Sequence, residues 1–139
     1  MVTATKINEA AVLSASNTDT DDSPVFMVNF LRFKEHAEYD DPAQGTPCSG
    51  REAYFQRYIP VFRNIAASEG INVFFVSDVQ SILVAPEGEL WDVVGIVEYP
   101  SFAAFRRITE CAAYYADALP HRDAALENWR LIKTSRMVS

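Results

Sequence analysis

An arginine presents two geometrically fixed donors to a carboxylate, a phosphate or a developing oxyanion, and a histidine moves protons near neutral pH. The sequence places one of each side by side, His121 and Arg122, directly after Pro120. Two further charges, Arg32 and Glu98, stand inside the otherwise apolar stretches VFMVNFLRF and VVGIVEY. A charge inside a strand needs a partner or water, so one expectation is a salt bridge between them or with Arg122, and the other is a polar pocket. In that pocket His121 and Glu98 are the candidate proton-transfer groups, with Arg122 and Arg32 as anion contacts and Asn29 orienting a carbonyl. Tyr54 and Tyr58 lie four residues apart, share one helical face, and can line the same site with their phenols. Each assignment has a structural counterpart. Arg122 can pair with Glu98 or cap an acidic helix, His121 can fill the polar junction after Pro120, Asn29 can satisfy a backbone group, and the tyrosines can pack in the core or a dimer contact.

Other chemistries find little support. His36, within the charged EHAEY, is expected in solvent. Cys111 sits among small residues and Cys48 in a polar loop, so two free thiols are expected rather than a disulfide scaffold or a nucleophile. Two histidines and scattered acids form no metal-ligand spacing, and neither a glycine-rich phosphate loop nor a nucleophile-elbow serine is present; no metal and no cofactor are expected. The acidic run Asp19, Asp21 and Asp22 lacks the glycine and closing glutamate of a calcium loop and reads as a solvated linker.

The chain has 139 residues, 49% hydrophobic, with 19 acidic and 12 basic side chains and a formal charge of -7. That length suits one domain, and the acidic balance disfavours a nucleic-acid partner, which needs a basic footprint. It leaves room for a small anion held by one or two buried arginines. The opening residues lack a basic region followed by an apolar run, and no segment approaches an uncharged span, so a cytoplasmic chain with no membrane partner is expected.

These residues must be positioned by regular elements. Residues 1–23 read as a partly mobile N-terminal extension with a short helix around Asn8 to Leu13, and residues 24–139 as one domain. Val25 to Phe33 is a strand, in which Asn29 and Arg32 point to opposite faces. Ser49 and Glu52 form a capping-box pair before Phe55, Tyr58, Ile59, Phe62 and Ile65 recur at helical spacing, with a bend expected at Pro60 and a stop at Gly70. Ile71 to Ala85 reads as one long strand or two pieces around a bulge, PEGE as a tight turn, and LWDVVGIVEY as the next strand. Pro100 and Ser101 open a second helix carrying Phe102, Phe105 and Ile108, and WRLIKTSRMV is the last strand. The order strand, helix, hairpin, helix, strand predicts a ferredoxin-like α+β sandwich.

The segments MVNFLRFKEHAEY, SGREAYFQRYIPVF, WDVVGIVEYPSFAAF and YADALPHRDAALENWRLI resemble the uncharacterised family numbered 1330 among domains of unknown function. The resemblance implies a ferredoxin-like subunit, with an antiparallel sheet and helices on one face, pairing with a second copy as a homodimeric α/β barrel. It implies fold or pocket roles for Asn29, Arg32, Tyr39, Tyr54, Tyr58, Trp91, Glu98, Tyr99, Pro100, His121 and Arg122, but no substrate. The leading functional expectation is a protein that binds a small organic or anionic molecule. The alternatives are a cofactor-independent monooxygenase or isomerase and a structural dimer with an incidental pocket.

Overall fold

The computed structural model describes residues 2–18 and 22–137, so Asp19 and Asp21 of the acidic run lie outside the described residues. Helix α1 (Glu9–Thr18) starts where Asn8 Oδ1 accepts the Ala11 amide at 3.1 Å, satisfying one of the unpaired donors of a first turn. Strand β1 (Val25–Phe33) follows, then a loop with a 3-10 turn at Pro42–Gln44.

The next helical run has three parts: α2 (Gly50–Glu52), a π-helical stretch at Ala53–Tyr58, and α3 (Ile59–Ala66). Ser49 caps it as the spacing predicts: Ser49 Oγ accepts the Glu52 amide at 3.0 Å and the Glu52 carboxylate accepts the Ser49 amide at 3.1 Å. Ser49→Ala is expected to lower stability by about 0.5–2 kcal/mol in chemical denaturation, with the fold unchanged. The expected bend at Pro60 is realised as a widened turn. Ile59 N–H reaches back five residues to Tyr54 O, and α3 restarts with Pro60 in its first turn, where a missing N–H costs little.

Strand β2 (Asn72–Asp78) and strand β3 (Val93–Tyr99) then pair, with a bulge between Val73 and Phe75. Both are shorter than the sequence suggests. Asp78 is the last β2 residue to face β3, opposite Val93, so residues 79–92 form the connection and Leu83 and Val84 lie exposed in it. Ser101 Oγ caps helix α4 (Phe102–Thr109) by accepting the Ala104 amide. A second π-helical stretch, Tyr114–Ala118, leads into α5 (Leu119–Ala125) and strand β4 (Leu126–Thr134). Here too the restart holds a proline, Pro120, and Leu119 N–H bonds Tyr114 O.

The four strands form one antiparallel sheet in the order β2-β3-β1-β4, because both helical crossovers skip a strand and leave β1 and β3 in the middle. Val25, Met27, Leu31, Val93, Tyr99 and Leu126 turn one face toward Tyr54, Tyr58, Phe62, Phe105, Ile108 and Tyr114, making the core. This is ferredoxin-like topology, but the dimeric α/β barrel expected from the resemblance is not formed. Strands β2 and β4 lie at the two edges of a single four-stranded sheet, and the fold is an open α+β sandwich. Among the described residues no helix is long and apolar enough to cross a membrane.

The N-terminal segment runs along β4. Ala4 N–H donates to Asn128 Oδ1, Trp129 N–H donates to Ala4 O, and the Arg130 guanidinium donates to Val2 O. Lys6 pairs with Asp123 at 3.1 Å, and Arg106 reaches Ser16 Oγ at 2.9 Å.

Candidate functional site

Helix α5 carries His121 and Arg122 into different surroundings. Arg122 is 4% exposed. Its Nη1 donates to Tyr114 Oη at 2.9 Å, and its guanidinium lies 4.7 Å from the Trp129 ring centroid, within cation–π range. Its Nη2 stands 3.7 Å from Asp123 Oδ1, while the buried Nε has no hydrogen-bond partner. Tyr114 Oη also shares a proton with Tyr58 Oη at 2.9 Å, and the Tyr58 ring stacks on Tyr54 at 5.0 Å. Burial pushes the phenols of Tyr54 and Tyr58 far above the ordinary tyrosine range, so both remain neutral donors. Trp129 Nε1 donates to Asn29 Oδ1 at 3.0 Å, and Asn29 Nδ2 donates to Met27 O. Thus Asn29, Tyr54, Tyr58 and Arg122, four of the sequence candidates, join one network on the helix-covered face, through Tyr114 and Trp129.

A cavity of about 490 Å³ opens beside this network, lined by Arg122, Tyr114, Thr109 and Arg106 on one side and by Ile7, Val12 and Leu13 of the N-terminal segment on the other. Its remaining cations have partners. Arg106 grips Glu110 through two bonds of 2.7 and 3.2 Å, and Lys6 holds Asp123.

His121 belongs to a second group. Arg57 donates through Nη1 to Tyr39 Oη at 3.2 Å and through Nη2 to Thr46 Oγ1 at 2.8 Å. Tyr39 Oη also lies 2.7 Å from His121 Nδ1, a hydrogen bond in which the tautomer of the ring sets which group donates. Partial burial and then the Arg57 charge lower the His121 pKa below the ordinary 6.5. A histidine with a depressed folded pKa takes up its proton later than the unfolded chain does. As pH falls through 6.5 toward that lower value the unfolded state is favoured, and above 6.5 the effect vanishes. An NMR titration of His121 should therefore show a midpoint below 6.5, and His121→Gln should flatten the acid side of the stability profile.

Arg32 and Glu98 are not brought to this site. Leu31 and Phe33 face the helices and Arg32 alternates to the other face, as Glu98 does between Val97 and Tyr99. Glu98 sits opposite Phe26 across the β1–β3 ladder, six residues from Arg32, which is roughly 20 Å along a strand. The Glu98 carboxylate accepts from Asn72 Nδ2 instead. Tyr114 and Arg57, which the sequence did not single out as site residues, and Tyr39, to which the resemblance gave a fold or pocket role, carry the two networks. Among the described residues no group of three or more His, Cys, Asp or Glu is placed to hold a metal ion.

No family model matches the chain, which corrects the resemblance to the family numbered 1330, and no curated protein matches it. Solved structures do. The crystal structure of methylated RPA0582 protein is similar with a TM-score of 0.87 and 30% identity, over 99% of this chain and 98% of that one. A second crystal structure, of the RPA0582 protein of unknown function from Rhodopseudomonas palustris, gives a TM-score of 0.86 and 28% identity over 99% of this chain and 100% of that one. With that identity sustained along nearly the whole of both chains, this protein belongs to the family of RPA0582.

Proposed function

We propose that the protein binds a small organic anion in the cavity beside Arg122. The observation that carries this reading is a guanidinium that is almost wholly buried yet lines a cavity of about 490 Å³. An anion placed against it gains a charge-assisted bond. The neighbouring phenols support the same role, since Tyr114 Oη fixes one arm of the guanidinium in place. The reading is of recognition, not turnover, because His121 is engaged by Tyr39 in the other network. Two free thiols, Cys48 and Cys111, support a cytoplasmic setting.

Titration calorimetry against a panel of small carboxylates, phosphates and neutral analogues tests this. At least one anion is expected to bind, and Arg122→Gln is expected to weaken it by about 1.5–3 kcal/mol, or tenfold and more, with the fold preserved by circular dichroism. Equal binding by a folded Arg122→Gln chain would overturn the reading.

A further inference from the structure

We propose that the occupant is an amphiphilic carboxylic acid, with its carboxylate on Arg122 and its apolar tail in a second chamber beneath α1; this rests on Arg122 as the anion contact. That chamber, about 350 Å³, is walled by Met27, Phe102, Phe105, Trp129 and Leu131 and roofed by α1 through Ala11, Val12 and Ala15. The two chambers share Lys6, Ile7 and Val12 in their linings. Trp129 stands at the junction, since its ring lines the apolar chamber and also lies against the Arg122 guanidinium.

Helix α1 has no fully buried residue; Val12 and Ala15, with Ile7 just before the helix, are only partly buried against the core, and polar contacts of Lys6 with Asp123 and of Ser16 with Arg106 flank them. Apolar walls facing empty space forgo dispersion contacts that a hydrocarbon tail restores. Both volumes lie in the range of small-molecule sites, in which apolar walls supply affinity and a few polar groups fix orientation. The head group follows from charge. Arg106 pairs with Glu110, and Asp123 pairs with Lys6 at 3.1 Å and stands 3.7 Å from Arg122 Nη2, so the little positive charge left beside the cavity suits a monoanionic carboxylate and leaves a phosphate dianion undercompensated.

The experiment is calorimetric titration of the full chain with propionate, hexanoate, octanoate and octanol, repeated on Ala15→Phe. Ala15 is partly buried on the roof at the margin of the core, so the added ring takes up chamber volume. Affinity is expected to rise about threefold to fourfold per methylene from propionate to octanoate. Octanol is expected to bind at least tenfold more weakly than octanoate, and Ala15→Phe is expected to weaken octanoate tenfold or more while leaving propionate unchanged. Affinity independent of tail length, or octanoate binding untouched by Ala15→Phe, overturns the tail chamber and leaves the anion site standing. Octanol binding as tightly as octanoate, or no carboxylate binding at all, overturns the anion reading itself.

Discussion

Gly50→Ala is expected to cost about 3 kcal/mol or more, a large share of the stability of a domain of this size. A Cβ at Gly50 would meet Lys34 O, Ala125 O at 2.6 Å and Lys34 N at 2.8 Å. All three are backbone atoms, so no side chain can swing aside. They belong to a knot of hydrogen bonds in which Gly50 N–H donates to Lys34 O and Lys34 N–H donates to Ala125 O. The end of β1, the start of α2 and the end of α5 cross there, and the glycine is needed for room. The comparison is Gly88, whose φ of +83° favours glycine but whose Cβ would meet nothing within 4 Å. Gly88→Ala should cost only about 1–2 kcal/mol, the penalty of the left-handed backbone. Urea denaturation of both variants decides it, and a Gly50→Ala midpoint at or above that of Gly88→Ala would defeat the argument.

Tyr114→Ala is expected to be comparably severe, about 3–5 kcal/mol, because a ring 2% exposed is removed from the centre of the core. The gentler Tyr114→Phe isolates the hydroxyl. It leaves Arg122 Nη1 and Tyr58 Oη without their shared partner, at about 1–3 kcal/mol. Tyr58→Phe should then add little in the Tyr114→Phe background, since the bond between the two phenols is already gone, and a double-mutant cycle measures that coupling. Strict additivity would show that the phenols do not act as a pair.

The layout of the fold was legible where local chemistry and tertiary need agree. Ser49 and Glu52 announced their cap three residues apart, and the alternation of Asn29 and Arg32 placed them on opposite faces as the structure has them. Strand length was not legible, because the apolar run through Ile82, Leu83 and Val84 continues past the point where β3 offers a partner. The mistaken joining of Arg32 and Glu98 to Arg122 has a related cause. Parity along a strand separates two faces without saying which face the helices cover. Arg57 and Tyr39 lie in different segments and meet His121 through a loop contact that no local period encodes. Tyr114 did carry a signal, since it precedes Pro120 by six residues just as Tyr54 precedes Pro60.

That spacing has a consequence for how such chains can change. A π turn amounts to one residue inserted into a helix, and each of the two here ends on a restart that shelters a proline in its second position. Deleting Gln56 alone would return the run to ordinary α-helix and place the proline in a helix interior, where it lacks a donor and crowds the preceding turn. Replacing Pro60 alone would leave the wide turn with nothing to accommodate. Insertion and proline are therefore a linked pair of characters, best gained or lost together. The chain holds the pair twice, once in each strand-helix-strand half, and the tyrosines on the two wide turns meet at Tyr58 and Tyr114. Losing one pair would turn its tyrosines about the helix axis by about 100° and take the phenol contact between the halves with it.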